Sequence, residues 1–475
     1  MRGGHAKVPS IYFNFACTGT PGVSSEKLMQ KPGICVKLVL TNTGSDFTMS
    51  DWIDLPRSSP EEQGVSSSVV LSFVEQIEKR GLELHGFMLL RRGYVIAEGW
   101  WAPYKPEYPH AAYSLTKSFT STAVGFAVQE GLLSTEDFVL PYFAEFARQE
   151  IRANMGGLKI KHLLTMTTGH TEDTTRFEIV PSFLQDRPDL RIGDREDRDW
   201  VRGFLELPLR RPPGTHFVYN SGASHMLARI VEIVTGQRLP DYLAPRLFEP
   251  LGIEKPVWDV CPQGHTTGGW GLRIKTEDIA RFGQLLLQNG MWNDKRILSR
   301  EWLKEAVAKQ ADNKNPDARM GVTGLDDWSQ GYGYQFWRCN HNAYRGDGAF
   351  GQFCLVMPDQ DAVVAINGGL QDMQAVLNVV WEILLPAMQD RPLAADDSSR
   401  RELERKLASL ALGEKSGAVG GGWSGTRRFI LDPNEERVEE IALHFSGRTC
   451  RFEWRDSEGE HTFLCGIGHW EGGNR

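Results

Sequence analysis

Tyr113-Ser114-Leu115-Thr116-Lys117, followed by Phe119, Ala123, Phe126 and Ala127 and closed by Glu130-Gly131, decides how this sequence is read. The apolar spacing predicts a helix that stops at the glycine and carries Ser114 in its first turn. Residues three apart share a helical face, so the Lys117 amine falls beside the Ser114 hydroxyl. The helix N-terminus adds a positive field where an oxyanion would form. A serine activated in this way is a nucleophile, which is the physical content of S-x-x-K. The pattern alone is weak, since a chain of this length should contain about one by chance. Ser24-Ser25-Glu26-Lys27 also matches, with no helix behind it. Taken alone, Ser114 reads equally as a helix-capping serine beside an exposed lysine.

A second element changes the balance. Pro212-Pro213-Gly214-Thr215-His216-Phe217-Val218-Tyr219-Asn220-Ser221-Gly222 precedes a helix from His225 to Thr235, closed by Gly236. In isolation Tyr219 is a packing residue. Beside a Ser-Lys pair, a phenol kept partly as phenolate by nearby cations can accept the serine proton and pass it to a leaving group.

Working outward, Ser66 to about Lys79 has helical spacing. His85 to Trp100 reads as a hairpin turning at Arg92-Gly93. The stretch from about 114 to 310 is dominated by helical periodicity. Strand character returns at Tyr332–Trp337, Gln352–Met357 and Ala362–Asn367, and a helix succeeds them from about Asp372 to Leu385. Strands early, helices inserted and strands late predict an α+β architecture whose antiparallel sheet, from about 80–105 and 330–370, closes over distant sequence and is flanked by helices. The expected organisation is a loosely ordered extension at 1–48, with one stray strand at Ile34–Leu40, then a domain at 49–390. A linker at 391–422 and a small β-rich region at 423–475 complete it. Met49 has the character of a natural protein start.

The chain has 475 residues, 41% hydrophobic and 24% charged, with a formal net charge of -8 and no basic block. Nucleic-acid and anionic-membrane partners are therefore not expected. No apolar run approaches the roughly 20 residues of a bilayer crossing and no secretory signal is visible, so the expected location is cytoplasmic. Seven cysteines without close spacing suit buried free thiols, and the absence of CxxC and HExxH gives no metal site. Gly346-Asp347-Gly348-Ala349-Phe350-Gly351 matches GxGxxG, with Asp372 at about the right distance. The segment after Gly351 is strand-like rather than helical, so no dinucleotide, and no other cofactor, is implied. His170, His216 and His225 do not make a Ser-His-Asp triad, because no G-x-S-x-G elbow exists; His170 is placed at the cleft.

From about 55 to 390 the sequence resembles the serine hydrolases that include class C β-lactamases, D-Ala-D-Ala carboxypeptidases, family VIII esterases and 6-aminohexanoate-dimer hydrolases. Besides Ser114, Lys117 and Tyr219, the likeness rests on Ile160–Gly169, Phe248–Ile253 and Gly268–Gly283, in the family's order. It implies a β-lactamase/transpeptidase-like fold with a mainly helical insertion, and an oxyanion hole from the amides of Ser114 and Ala349. Two departures matter. Where the family has Tyr-x-Asn, Tyr219-Asn220-Ser221 leaves the substrate-facing amide missing or supplied by Asn220. Where the family has Lys-Thr-Gly or His-x-Gly, Gly346-Asp347-Gly348 offers no cation, which argues against β-lactams and D-Ala-D-Ala peptides.

Asp347, Tyr332, Tyr334 and Trp337 are expected either to shape the substrate pocket or to pack on the sheet. The predicted chemistry is hydrolysis of a small ester or amide through an acyl-enzyme on Ser114, with Lys117 and Tyr219 sharing the base role. A carboxylesterase comes first, then an amidase or D-amino-acid peptidase, and a weak β-lactamase last. The rival of another class is a catalytically silent penicillin-binding-like binding domain. The C-terminal region covers the sheet or mediates homo-oligomerisation.

Overall fold

The computed structural model describes residues 55–175, 199–254, 256–314, 326–413, 424–434, 437–456, 459–467 and 469–470. The expected strand at Ile34–Leu40 lies outside them. The chain divides into two compact units, 47–100 with 109–410, and 1–46 with 101–108 and 411–475.

The larger unit is built on a six-stranded antiparallel sheet. Helix α1 (Ser67–Lys79) leads into β1 (Leu84–Arg91) and β2 (Tyr94–Trp100), the expected hairpin. The sheet is completed by β3 (Trp337–Arg338), β4 (Tyr344–Gly348), β5 (Gln352–Met357) and β6 (Ala362–Gly368), in the order β2-β1-β6-β5-β4-β3. The seam joins the two ends of the unit: Leu84 pairs with Gly368, and Arg91 with Ala362. β1, β5 and β6 are buried along their whole length, so their central residues Phe87–Leu90, Phe353–Met357 and Ala362–Ile366 read as apolar runs rather than alternating ones.

Helices cover both faces. Successive strand residues point to opposite sides. Phe87 meets Phe73 of α1 with ring centroids 5.6 Å apart, while its neighbour Gly86 faces Thr276, the first residue of helix α4 (Thr276–Leu287). Between the strands of the sheet run α2 (Thr116–Gln129) and α3 (Ser221–Thr235), which pack together. Phe119 of α2 stacks on Phe282 of α4 at 4.1 Å, and burying one such ring contributes about 2–3 kcal/mol.

Two expectations are corrected. Tyr332–Trp337 is not a strand; only Trp337–Arg338 joins the sheet, because the chain folds back at Gly333–Phe336, where the Gly333 amide donates to the Phe336 carbonyl and Gln335 holds φ at +63°. Within 391–422, expected as linker, residues Asp397–Ala408 form helix α5. Asp396 caps it, and buried Leu403 and the Lys406–Glu78 ion pair hold it beside α1.

In the smaller unit β7 (Gly425–Ile430), β8 (Glu440–Ser446), β9 (Thr449–Asp456) and β10 (Gly459–Gly466) make a four-stranded antiparallel meander, the β-rich region read from sequence. The free thiols of Cys450 and Cys465 belong to directly paired residues of β9 and β10.

Candidate active site

Ser114 sits in the 3-10 turn Tyr113–Leu115 that feeds α2. Tyr113, just before it, holds φ at +45°, a conformation that costs a non-glycine residue on the order of 1–3 kcal/mol and recurs where a side chain must be aimed. The first two turns of α2 are polar yet buried: Thr116, Lys117, Ser118, Thr120, Ser121 and Thr122 are all out of solvent. Such a helix is stable only if its polar groups are matched. Ser118 donates to the Gln335 carbonyl at 2.9 Å, Thr120 to the Gly268 carbonyl at 2.8 Å, and Thr116 accepts from the Leu272 amide at 3.3 Å. These bonds tie the Ser114 turn and the start of α2 to segments far away in sequence.

The Lys117 side chain runs inward from α2. Its Nζ lies 3.0 Å from Ser114 Oγ, 3.1 Å from Ser221 Oγ and 2.8 Å from the Gly269 carbonyl, and 4.8 Å from the centre of the Tyr219 ring. Desolvation disfavours the ammonium and lowers its pKa to about 8, against the opposing pull of Asp173 and Asp347. A substantial share of the amine is therefore neutral near physiological pH.

Tyr219 hydrogen-bonds Ser114. The structure corrects the phenolate expected from sequence. Part of the residue stays accessible, but its hydroxyl is enclosed by protein, and that burial together with Asp347 pushes the phenol well above its ordinary value. Tyr219 is therefore held as a neutral phenol. Its ring stacks on Trp337 at 5.5 Å and meets Tyr332 edge-on, so two of the aromatics named from sequence form its wall.

The glycines of Gly346-Asp347-Gly348 have a steric reason. A Cβ on Gly348 would lie 2.1 Å from the Ala112 carbonyl and 3.0 Å from the Ser114 amide, and one on Gly346 would lie 2.4 Å from Ser118 Oγ. β4 thus presses directly against the Ser114 turn and leaves Ala349, the next residue, exposed beside it. Gln352 of β5 donates to the Ala349 carbonyl at 3.1 Å and to the Gly368 carbonyl at 2.9 Å, which fixes the loop's orientation.

A cation does stand beside this motif. Arg345 and Asp347, two apart on a strand, share a face. Arg345 Nε lies 2.8 Å from Asp347, both are buried, and the guanidinium also donates to the Asp327 carbonyl and Cys339 Sγ. Locked on Asp347, it is not presented to a substrate. Asp347 carries a raised pKa because burial outweighs the stabilisation from Arg345, Lys117 and Trp337.

Three sequence-selected residues have other duties. Asn220 is the N-cap of α3: its carbonyl oxygen accepts from the amides of Gly222, Ala223 and Thr174 and from the Thr174 hydroxyl, and its Nδ2 is buried rather than presented to a substrate. His170 is enclosed, with Nδ1 2.9 Å from Thr168 Oγ1 and its ring edge-on to Phe204, and burial lowers its pKa to about 4. It is not a cleft residue. Tyr334 points to helix residues Arg300–Ala306, where its ring meets Trp302 and its hydroxyl reaches Glu305 at 3.3 Å. Ser221, by contrast, is brought directly onto Lys117.

Sequence reasoning missed Asp173, the Gly269 carbonyl and Gln335. Asp173 accepts from the amide and hydroxyl of Ser221 at 2.9 and 3.1 Å. Gln335 joins α2, α3 and residues 163–164: its backbone carbonyl accepts from Ser118, its side-chain oxygen from Ser224 at 2.6 Å, and its amide donates to the Leu163 and Leu164 carbonyls. No local pattern marks any of the three, since each acts through partners distant in sequence.

The geometry agrees with comparison to known proteins. Residues 74–372 match the family model described as Beta-lactamase. Among curated proteins, the 6-aminohexanoate-dimer hydrolase of Paenarthrobacter ureafaciens is 27% identical over 320 residues, covering 65% of this chain and 78% of that one. Penicillin-binding protein 4 of Amycolatopsis lactamdurans is 28% identical over 298 residues, covering 54% and 71%. Among solved structures, a family VIII carboxylesterase shares the fold with a TM-score of 0.51 at 16% identity, over 69% of this chain and 98% of that one. With its antiparallel sheet, flanking helices and match over more than half its length, the chain belongs to the Beta-lactamase family and is a serine hydrolase of esters or amides.

Proposed function

We propose that the protein is a carboxylesterase that hydrolyses small, uncharged esters through an acyl-enzyme on Ser114. The observation that carries this reading is the buried Lys117 amine 3.0 Å from Ser114 Oγ, with its ammonium form destabilised by burial. As the Ser114 oxygen forms its bond to the ester carbonyl carbon, its proton passes to Lys117. The amides of Ser114 and Ala349 hold the oxyanion. Collapse breaks the bond to the alcohol oxygen, which takes the Tyr219 proton, and Lys117 returns a proton to Tyr219. A water then attacks the acyl carbon, gives its proton to the same pair and frees the acid and Ser114.

The preference for uncharged substrates is supported by the locked Arg345 and by Asn220, whose side chain is buried in the cap of α3. No cation of this motif is left to hold a substrate carboxylate, as β-lactams and D-Ala-D-Ala peptides require. An amidase is the second reading, favoured by the name of the 6-aminohexanoate-dimer hydrolase relative.

The test is nitrophenol release from p-nitrophenyl butyrate by wild type and Ser114→Ala, with nitrocefin and the 6-aminohexanoate dimer alongside. Ester turnover lost in Ser114→Ala, with slow nitrocefin hydrolysis, is expected. Equal activity of the two proteins would remove Ser114 from the role of nucleophile, and turnover of the dimer alone would put the amidase first.

A further inference from the structure

Asp173 belongs to no motif, yet four donors converge on its carboxylate: the amide and hydroxyl of Thr175 at 3.0 and 2.8 Å, and the amide and hydroxyl of Ser221 at 2.9 and 3.1 Å. A serine hydroxyl has one proton. Because Ser221 donates that proton to Asp173, its oxygen can meet Lys117 Nζ, 3.1 Å away, only as an acceptor. The Gly269 carbonyl at 2.8 Å can also only accept. A neutral amine has two N–H bonds and one lone pair. With both N–H bonds directed to Ser221 and Gly269, the lone pair is left for the third neighbour, Ser114 Oγ.

We propose that Asp173 and Ser221 form a positioning relay which orients the neutral Lys117 amine, so that its lone pair faces the Ser114 proton. The inference rests on the reading of Ser114 as nucleophile and Lys117 as base. It gives the serine in the third position of Tyr219-Asn220-Ser221 a function: the side chain there serves the base.

The groups facing Lys117 set what removal of Asp173 does. Asp173 approaches from the loop before the undescribed residues 176–198, and Asp347 from β4. Tyr219 lies in the loop before α3, and Arg345 is bound to Asp347. Both carboxylates favour the charged amine and burial opposes it. Asp173→Asn keeps an acceptor for Ser221 but removes a charge, so the amine should lose its proton at lower pH.

The experiment measures kcat/KM against pH with p-nitrophenyl butyrate for wild type, Ser114→Ala, Asp173→Asn, Ser221→Ala and the double variant. Asp173→Asn should move the acid limb down by about one pH unit. Asp173→Asn and Ser221→Ala should each lower the plateau by about ten- to a hundredfold, and the double variant should be no worse than Ser221→Ala. An Asp173→Asn profile that superimposes on wild type after scaling overturns the relay, and so does a double variant whose losses multiply. The midpoint of a profile does not depend on how much enzyme is folded, so a weakly folding variant still decides the matter. A Ser114→Ala protein that stays active would instead overturn the reading of Ser114 as nucleophile beneath it.

Discussion

The pH dependence of ester hydrolysis distinguishes a lysine base from any histidine base in this chain. Lys117 acts when neutral, so kcat/KM for an uncharged ester should rise with pH through the amine's pKa of about 8. The neutral fraction is then about 1% at pH 6, about 10% at pH 7 and about 90% at pH 9, a rise of roughly ninetyfold. Below pH 7 the slope should approach tenfold per unit. An unperturbed histidine, with a pKa of about 6.5, would give only about a fourfold rise over the same range and a plateau by about pH 7.5. His170 and His225, lowered by burial to about 4 and about 3, would give no rise at all. The assay is initial-rate hydrolysis of p-nitrophenyl butyrate, followed at the isosbestic wavelength of nitrophenol and its anion, with the hydroxide rate subtracted. A plateau reached by pH 7 would refute Lys117 as the base. A climb continuing tenfold per unit beyond pH 9 would show that burial does not depress the amine.

The packing of β4 sets two further outcomes. Gly348→Ala should lower kcat by at least about a hundredfold with a smaller effect on thermal midpoint, because its Cβ meets the backbone of Ala112 and Ser114 and displacement of about 1 Å at a nucleophile has that cost. Gly346→Ala, whose nearest neighbours are the Ser118 and Leu115 side chains, should be milder. Arg345→Met should destabilise by about 3–5 kcal/mol in chemical denaturation, since it leaves Asp347 buried without its partner, and Arg345→Met/Asp347→Asn should recover part of that loss. Strict additivity would mean that the pair is not coupled.

Much of the fold and the core of the site are legible in the sequence, and the parts that are not have a common cause. Gln352–Met357 and Ala362 onward read as strands because both faces are buried and the runs are mostly apolar. The helix behind Ser114 shows through its apolar face despite six buried polar residues. Asn220 reads from sequence as a substrate ligand, although an asparagine immediately before a helix is first of all a cap. Arg345 is missed as the partner of Asp347, because no strand is read from sequence at Tyr344–Gly348. Tyr219's protonation state is not legible, since it depends on how completely Trp337, Tyr332 and Asp347 close around the hydroxyl. Asp173 is not legible either, because its role exists only once a polar loop folds onto the first turn of α3.

The pairing of β1 with β6 bears on how the protein comes into being. A ribosome releases the hairpin β1–β2 and the nucleophile turn long before β6, and at 5–20 residues per second the wait is on the order of tens of seconds. Throughout that interval the inner edge of β1, mostly apolar and bound for the centre of the sheet, has no partner. Slow, late closure of this kind favours intermediates and exposes them to aggregation. The nascent chain is therefore a natural client for chaperones, and activity should emerge as a late, single event when the C-terminal strands of the sheet arrive.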